Sequence, residues 1–347
     1  MDPDAMSLES STVPRGRLVS FTDTTQIKST NIVWSNVYLK LENLQPSGSF
    51  KSRGIGNLMT RAAAAATGPV HFYCSSGGNA GLACATSALS LGQKATIVIP
   101  TIITELMKGK LLDLGVEVHQ KGRNWAECDK YMREELLAND PMGIYVPPFD
   151  DPRVWDGAAT MVDEIRDQLE EPIEGIVCSV GGGGLINGLM QGVEGRPWQD
   201  KKPAVVAVET KGADSLNASV LAKEHVTLPE MTSIATSLGA TRVSEQTWKW
   251  SQHPSGTMKS LVVSDADAAI SAVRFADDGR HLVEVACGAA LAPAYRGDLR
   301  RVLGQGMSDE EWGEKNVVIV LCGGSNVTLG MLNAYRDKYQ GESSIKI

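Results

Sequence analysis

A lone lysine lies in a run of small residues near the start of the chain. Lys51 follows Phe50 in the stretch PSGSFKSRGIG, which covers residues 46–56. The serines and glycines around it suit a backbone that closes on a ligand better than an open charged surface. Taken alone, the stretch nevertheless favours an exposed lysine in a polar turn, because short motifs often match by chance. The function of Lys51 therefore has to be judged from the rest of the chain.

Three glycine-rich loops each follow a short apolar run that is predicted to form a β-strand. They are CSSGGNAG at 74–81, SVGGGGLING at 179–188 and CGGSN at 322–326. Open α/β sheets bind ligands at the carboxyl ends of their strands, and glycines there let backbone N–H groups converge on an anion. A single such loop is as easily a tight turn, but three together favour a ligand site. Gly181–Gly184 is the best phosphate cradle in the sequence.

The phosphate ligand that fits these loops is neither ATP nor a dinucleotide. The chain contains no GxxxxGK[ST] motif, and the GxGxxG spacing fails because its third position falls on Ile186 or Asn187. A phosphate cradle together with a lysine among small residues favours pyridoxal 5'-phosphate, whose aldehyde forms an imine with a lysine. Asn79 is a candidate partner for the ring hydroxyl, and Cys322 or Ser325 for the pyridine nitrogen.

The elements that position these loops follow an α/β pattern. Five short runs rich in β-branched residues predict buried parallel strands, at 70–74, 95–99, 176–180, 204–208 and 317–321. Segments of helical composition lie between them, such as NAGLACATSALSLG and ITELMKGKLLDLG. This alternation predicts an α/β fold with two open, twisted, mostly parallel sheets and flanking helices.

The strand and helix pattern is interrupted at two places. PPFDDP at 147–152 and the stretch Asn43–Gly48 are rich in proline, glycine and turn-forming residues. We therefore predict a large domain made of residues 1–44 and 149–347, and a small domain made of residues 45–148.

Composition argues against several other classes of protein. The 347 residues carry a formal net charge of -8 and contain no run of Lys and Arg interleaved with aromatic residues, so nucleic acid binding is not expected. No segment approaches the ~18 apolar residues of a membrane helix, and the N-terminus has no signal-peptide pattern. Six cysteines without a CxxC pair and five histidines without HExxH disfavour a zinc site or a disulfide framework. We expect a cytoplasmic protein with reduced thiols.

Taken in order, the motifs resemble those of one enzyme family. The stretches QPSGSFKSRGIG, CSSGGNAGLA, ATIVIP, PPFDDPRVWDGAATMVDEI, SVGGGGLINGLMQG, TSIATSLGA, LVEVACGAALA and VIVLCGGSN form a dense match over about residues 36–335. In these stretches the chain is similar to the fold type II, tryptophan-synthase-like pyridoxal-phosphate enzymes, and among them to the catabolic L-serine and L-threonine dehydratases. The resemblance implies a homodimer, with the cofactor in the cleft between a large and a small domain.

The resemblance also implies roles for individual residues. Lys51 would hold the cofactor as an imine, with Phe50 packed on the ring. The other cofactor contacts would be Asn79 at the ring hydroxyl, Gly181, Gly182, Gly183 and Gly184 at the phosphate, and Cys322, with Ser325 as the alternative, at the pyridine nitrogen. The substrate would lie against Ser76, Gly77, Gly78, Asn79 and Ser237. A potassium ion would be bound by Glu209 with Gly181, Ala213, Ser215, Leu238 and Ala240 nearby.

The implied reaction is β-elimination of serine to pyruvate, or of threonine to 2-oxobutanoate, with release of ammonia. The substrate amine would displace Lys51, and the freed lysine, its pKa lowered by burial and a cationic neighbour, would remove the α-proton. The cofactor phosphate would supply a proton to the leaving hydroxyl. One alternative is β-replacement, or action on a substituted β-hydroxy amino acid, on the same fold. Another is a binding protein with an idle site.

Several features depart from the family pattern. Gly77 stands where many dehydratases carry alanine and serine racemases carry a catalytic serine, so we expect no racemisation and a roomier substrate pocket. Ser237 lies where alanine is common, and Val285 replaces a common proline. The N-terminal stretch at 19–40 lacks the expected Thr-Pro-Leu. The chain extends little beyond CGGSN, so we expect neither a C-terminal regulatory domain nor feedback control by isoleucine.

Overall fold

The computed structural model describes residues 17–20, 35–199 and 201–347, and its strands form two sheets. The strands are β1 (Arg17–Ser20), β2 (Asn36–Leu41), β3 (His71–Cys74), β4 (Lys94–Ile99), β5 (Glu117–Gln120), β6 (Gly143–Tyr145), β7 (Ile173–Ser179), β8 (Ala204–Thr210), β9 (Met258–Val263) and β10 (Asn316–Leu321). The helices are α1 (Lys51–Ala65), α2 (Asn79–Leu91), α3 (Glu105–Asp113), α4 (Trp125–Tyr131), α5 (Pro152–Gln168), α6 (Gly184–Gly195), α7 (Ser215–Ala222), α8 (Glu245–Ser251), α9 (Asp265–Asp278), α10 (Val285–Arg296), α11 (Asp298–Leu303), α12 (Asp309–Gly313) and α13 (Leu329–Tyr339).

The larger sheet has six strands in the order β1-β2-β10-β7-β8-β9. β1 pairs with β2 in antiparallel register, and the other neighbours are parallel. Every residue of β10 is buried, as expected for a central strand covered on both faces. α6 and α10 pack against the central strands. The carboxyl ends of β7, β8 and β10 therefore lie on the same side of this sheet, where the strands end.

The smaller sheet has four strands in the order β5-β4-β3-β6, all parallel. α2 packs against β3 and β4. A small apolar cluster that contains Tyr73, Val98 and Cys128 joins the sheet to α4. None of the helices in the described part of the chain is long and apolar enough to cross a lipid bilayer.

The predicted fold class is confirmed, since both sheets are open, mostly parallel and flanked by helices. The five predicted strands are β3, β4, β7, β8 and β10, and the two segments of helical composition form α2 and α3. Four of the five strands that were not predicted, β1, β5, β6 and β9, lie at sheet edges. Edge strands are short and partly polar, so they lack the continuous apolar run that marks a central strand.

The division into two domains is supported by how the strands are shared between the sheets. All strands of the smaller sheet lie within residues 71–145, and those of the larger sheet come before and after this range. We therefore propose residues 1–44 and 149–347 as the large domain and 45–148 as the small one. α1 packs against α2 and against α5, so it lies at the junction. Residues 21–34, part of the stretch that lacks Thr-Pro-Leu, lie outside the described residues.

Two glycines let α1 and α5 approach closely. A Cβ atom on Gly54 would lie 2.6 Å from the carbonyl oxygen of Val154, and one on Gly157 would overlap the carbonyl oxygen of Arg53. Side chains at these positions would push the helices apart. The axis of α1, and with it the direction of Lys51 at its first turn, is thus set by backbone contact with α5.

A buried charged cluster beside this contact reinforces it. The Arg53 guanidinium donates to Glu42 at 2.7 and 2.8 Å and to Glu164 at 2.7 and 2.8 Å. The Lys40 amine donates to Glu164 at 2.7 Å. Arg53 and Glu42 are almost fully buried, so each carboxylate depends on its cationic partner for compensation.

Arg53→Ala should therefore lower the free energy of unfolding by about 3–5 kcal/mol, because it leaves two buried carboxylates without their shared partner. Arg61→Ala is the matched control on the same helix. Arg61 pairs with Asp156 but is 57% exposed, so its loss should cost about 1 kcal/mol or less. Urea denaturation measures both values, and equal effects of the two substitutions would contradict the role given to the cluster.

Candidate active site

Lys51 is the first residue of α1, at the place where strand ends from the two sheets meet. The backbone N–H of Phe50 donates to the carbonyl oxygen of Cys322 at 3.1 Å, which ties the start of α1 to the end of β10. The Lys51 amine donates to the carbonyl oxygen of Pro148 at 2.5 Å. It lies 5.2 Å from the centre of the Phe50 ring. The structure thus brings Phe50, Lys51 and Cys322 together.

Burial makes the Lys51 amine less basic than that of an ordinary lysine. It lowers the pKa of Lys51 to about 8, and the Cys74 and Cys322 thiols oppose the shift. No cation among the described residues contributes to this shift, and the cationic neighbour expected for the freed lysine stays a prediction. Cys74, fully buried at the end of β3, acts on Lys51 although the sequence indicated only a core residue. About one-tenth of such an amine is neutral at pH 7, far more than in a solvated lysine.

The glycine loop between β7 and α6 is shaped by the residues packed on it. Gly183 has φ +110°, a conformation that side chains rarely adopt, and a Cβ there would overlap the hydroxyl oxygen of Thr247. A Cβ on Gly182 would lie 2.5 Å from the Phe149 ring, and one on Gly184 would lie 3.0 Å from Cβ of the same residue. α6 begins without a side-chain cap and without an acidic residue in its first turn. The loop therefore offers uncapped backbone N–H groups to an anion.

A buried polar network holds this loop from behind. Asn187 donates to the Ser244 hydroxyl at 2.9 Å, and the Thr247 hydroxyl donates to the Asn187 carbonyl at 2.8 Å. The Ser244 N–H donates to the carbonyl oxygen of Gly182 at 2.9 Å. These side chains are at most 4% exposed. Because every member has a partner, the network can fix the loop geometry without the cost of an unsatisfied buried group.

Asn79 begins α2 and has a fixed side-chain orientation. Its Oδ1 accepts the N–H of Ser325 at 3.0 Å, and its Nδ2 donates to Glu284 Oε1 at 3.0 Å. The preceding Ser76–Gly78 loop leads into a helix start that has no side-chain cap and no acidic residue in its first turn. Such a start suits a carboxylate ligand. The structure therefore joins the predicted substrate loop to the CGGSN loop through Asn79.

Gly77 does not leave an empty space. A Cβ atom placed on it would overlap Cδ1 of Ile103 and would lie 3.2 Å from Cγ2 of Ile99. Ile103 follows β4 and packs against the core of the smaller sheet. The expectation of a roomier pocket is therefore wrong at this point, because Ile103 fills the volume that a side chain at position 77 would take.

Three further predicted residues lie in different environments. Cys322 is buried, and its sulfur lies 3.5 Å from the Ser179 hydroxyl at the end of β7. Ser325 is half-buried, and its hydroxyl donates to a backbone carbonyl 3.4 Å away. Ser237 is exposed, and its hydroxyl donates to the buried carboxylate of Glu284. Cys322 therefore offers a thiol, and Ser237 a hydroxyl, to the junction.

Glu209 is fully buried in β8 and has no cation to balance it among the described residues. It accepts the N–H of Leu216 at 2.9 Å and of Asn217 at 2.7 Å, at the start of α7. Burial still raises its pKa to about 8. The hydroxyl oxygen of Ser215 is buried and has no hydrogen-bond partner in the described part of the chain. The Glu209 carboxylate in β8 thus has no cationic partner, and the Ser215 hydroxyl at the start of α7 has no hydrogen-bond partner, in the described part of the chain.

The other predicted cation ligands fall into two segments. Ala213 donates its N–H to the carbonyl oxygen of Thr210 at 2.8 Å, close in sequence to Glu209. Ala240 donates to the carbonyl oxygen of Leu238 at 2.7 Å. A Cβ on Gly181 would lie 3.1 Å from Cα of Leu238. The structure therefore places Leu238 against the glycine loop.

Several residues of the site were not predicted. Pro148 and Phe149 lie in PPFDDP, which the sequence indicated as a break between domains and as part of the family match, with no role for either residue. Glu284 lies in LVEVACGAALA, where its only signal is an acidic residue inside an apolar motif. Ser244 and Thr247 carry no sequence signal, because their role depends on packing against a distant loop.

Comparison with known proteins identifies the family. The model of the family described as pyridoxal-phosphate dependent enzyme matches residues 22–323. The L-serine dehydratase/L-threonine deaminase of Bos taurus is 41% identical over 306 residues, which are 88% of this chain and 90% of that protein. The L-serine dehydratase of Saccharomyces cerevisiae (strain AWRI1631) is 39% identical over 325 residues, 89% of this chain and 92% of that protein. A fungal L-serine ammonia-lyase from Rhizomucor miehei, known from a crystal structure, superposes with a TM-score of 0.83 at 36% identity, covering 94% of this chain and 99% of that chain.

Two mostly parallel sheets that meet at a half-buried lysine, together with an uncapped glycine loop, define a fold type II pyridoxal-phosphate enzyme. The chain belongs to the family of pyridoxal-phosphate dependent enzymes. The resemblance predicted from the motifs is therefore confirmed.

The pKa of Lys51 predicts how the apo protein takes up pyridoxal phosphate. Only a neutral amine attacks an aldehyde, so a pKa of about 8 means that the reactive fraction grows as the pH rises toward 8. We expect the rate of uptake to rise about tenfold per pH unit below 8 and to level off above it. Stopped-flow absorbance measures the rate, with Nα-acetyl-lysine as the control for the reagent. A rate that still climbs tenfold between pH 9 and 10 would contradict the lowered pKa.

Gly77 and Ile103 should be energetically coupled. Gly77→Ala adds a Cβ that overlaps Cδ1 of Ile103, so it should lower the free energy of unfolding by about 1–2 kcal/mol. Ile103→Val removes Cδ1, and in that background Gly77→Ala should cost about 0.5 kcal/mol or less. Urea denaturation of the four proteins gives the coupling energy. Additive effects would show that Ile103 does not fill the space at position 77.

Proposed function

We propose that this chain is an ammonia-lyase that acts by β-elimination, converting L-serine to pyruvate or L-threonine to 2-oxobutanoate and releasing ammonia. The observation that carries the proposal is Lys51, whose half-buried amine with a pKa of about 8 lies where the two sheets meet. The bovine and yeast relatives, whose names state serine or threonine as substrates, align over nearly the whole chain and support the choice of substrates.

The residues present fit pyridoxal phosphate. A side chain on Gly183 or Gly184 would collide with Thr247 or Phe149 and distort the loop at the start of α6, whose free N–H groups suit a phosphate. When bound, the cofactor withdraws electrons from the substrate α-carbon, which no amino acid side chain does. The groups that would contact it are Gly181 to Gly184 at the phosphate, Lys51 at the aldehyde carbon, Phe50 on the ring, Asn79 at the ring hydroxyl, and Cys322 with Ser325 at the ring nitrogen.

Lys51 is the proposed base. Its neutral amine would take the α-proton of the substrate, and the carbonyl of Pro148, 2.5 Å away, keeps the amine directed into the junction. The substrate carboxylate would bind at the start of α2, against the loop of Ser76, Gly77 and Gly78. The β-hydroxyl leaves as water, and later hydrolysis returns one water and releases ammonia, so the reaction needs no oxidant or reductant.

Elimination rather than racemisation fits the wall of the site that Gly77 and Ile103 form. Returning a proton to the other face of the α-carbon needs a second acid-base group. Gly77 has no side chain, and the space beside it holds the aliphatic side chain of Ile103. Neither residue can carry a proton, so this wall supports a one-base reaction.

Turnover with serine and threonine tests the proposal. The protein loaded with pyridoxal phosphate should release ammonia and pyruvate or 2-oxobutanoate in equal amounts. Lys51→Ala should lower kcat by about 10³-fold or more and abolish the visible absorbance of the bound cofactor. Lys130→Ala, at a lysine that is 72% exposed on α4, is the control and should leave both unchanged. Cofactor binding without either product would overturn the proposed reaction, and capture of an added thiol into product would favour β-replacement instead.

A monovalent cation site at Glu209 is part of the proposal, with potassium as the ion. A carboxylate whose pKa is raised to about 8 and the partnerless Ser215 hydroxyl both fit a cation that needs oxygen ligands. Gly181, Ala213, Leu238 and Ala240 would contribute from the neighbouring segments. Because Leu238 packs on the glycine loop, the ion would stabilise the loop that binds phosphate.

Potassium binding should depend on pH with a defined sign. Glu209 must be ionised to bind the cation, and with a pKa of about 8 its ionised fraction rises as the pH rises through 8. We expect potassium to bind about tenfold more tightly at pH 9 than at pH 7. The shift of Tm with potassium, against tetramethylammonium as the inert salt, measures this. Glu209→Gln should abolish the pH dependence, and a potassium effect that persists unchanged in that variant would rule out the site.

We also propose that the enzyme is a cytoplasmic homodimer. All six cysteines are unpaired and buried, which fits a reducing compartment. The dimer rests on the family resemblance. Light scattering coupled to size exclusion checks it, and a mass near 37.1 kDa, that of one chain, would contradict it.

A further inference from the structure

We propose that Glu284 is a positioning residue that sets the orientation of Asn79 and thereby the affinity for pyridoxal phosphate. The inference rests on the proposed function, in which Asn79 contacts the ring hydroxyl. Glu284 immediately precedes α10 and is only 6% exposed. The groups that donate to it in the described part of the chain are all neutral. A buried carboxylate compensated in this way depends on each of its donors.

Three donors converge on the Glu284 carboxylate from different elements. Oε1 accepts Nδ2 of Asn79 at 3.0 Å and the backbone N–H of Asn326 at 2.8 Å. Oε2 accepts the hydroxyl of Ser237. Gly324 allows this arrangement, because a Cβ atom there would overlap the carboxylate. The carboxylate thus joins the start of α2 to two segments beside the larger sheet.

The chemistry of the Asn79 amide makes its orientation depend on Glu284. Oδ1 accepts the Ser325 N–H at 3.0 Å, so the NH₂ group has to face the carboxylate. A flipped amide would place oxygen against carboxylate and NH₂ against N–H, which are two repulsive contacts. One of the two amide hydrogens goes to Glu284, and the other remains for a ligand. Glu284 therefore selects the amide orientation that leaves a donor, not an acceptor, for the cofactor.

A neutral group of the same shape cannot replace the carboxylate. In Glu284→Gln, one acceptor oxygen becomes an NH₂ group. If this group faces Asn79 and Asn326, both donors lose their acceptor or the Asn79 amide turns over. If it faces Ser237, that hydroxyl has to turn and accept, and the hydrogen bond from Asn79 loses its charged acceptor and is weaker. Either change reaches the cofactor through Asn79. The effect should appear in cofactor binding itself and not only in turnover.

The test measures pyridoxal phosphate affinity of the apo protein by fluorescence quenching, together with the absorption spectrum of the loaded protein. Glu284→Gln should weaken binding by about tenfold and shift the absorption maximum of the bound cofactor. Asn79→Ala should weaken binding to a similar degree. Because Glu284 acts through Asn79, the double variant should bind no more weakly than Asn79→Ala alone.

Asp267→Asn is the matched control, since Asp267 is also 6% exposed and accepts hydrogen bonds from Ser343 and Ser344. It should lower Tm as Glu284→Gln does but keep cofactor affinity within twofold of the wild type. If Glu284→Gln does not fold, Glu284→Asp, which retains the charge and retracts it by one methylene, should show the same weakening.

An unchanged affinity and spectrum in Glu284→Gln, or additive losses in the double variant, would overturn the inference. Failure of the wild-type protein to bind pyridoxal phosphate at all is a different result, which would instead overturn the proposed function.

Discussion

The position of the first turn of α1 is the constraint on which the rest of the structure depends. The Phe50 N–H, bound to the carbonyl of Cys322, joins this turn to the end of β10. Gly54 and Gly157 bring α1 against α5, so the turn is held along the helix axis as well as at its start. Lys51 projects from a rigid point and not from a mobile loop. Such preorganisation favours catalysis, because the amine is already held in position when the substrate binds.

Three buried acidic sites show three ways of compensating charge. Glu42 is neutralised by Arg53, which ties the segment after β2 to α1. Glu209 receives only helix N–H groups and keeps a raised pKa, which leaves it open to a cation. Glu284 receives only neutral side-chain and backbone donors. The way in which each carboxylate is compensated fits its proposed role. Glu42 is structural, Glu209 would bind an ion, and Glu284 would orient a neighbouring amide.

The sequence was informative where function depends on local backbone. Lys51 and the Gly181–Gly184 loop could be predicted because small residues around a lysine and glycines after a strand are visible within one motif. Glu284 and Thr247 could not, because their roles come from packing between segments far apart in the chain. The same distinction explains the edge strands, which lack an apolar run, and the pKa of Lys51. That pKa is lowered by burial, which depends on how distant segments pack around the lysine.

Two parts of the site differ in how readily their residues can be substituted. The contact between α1 and α5 tolerates little change, since any side chain at Gly157 would displace the helix that carries Lys51. Ile103 is not part of this contact, because it fills the space at Gly77 with the end of a flexible side chain. New substrate ranges are therefore most accessible through substitutions at Ile103. Selection or engineering can reshape what enters the cleft while the chemistry beneath it stays intact.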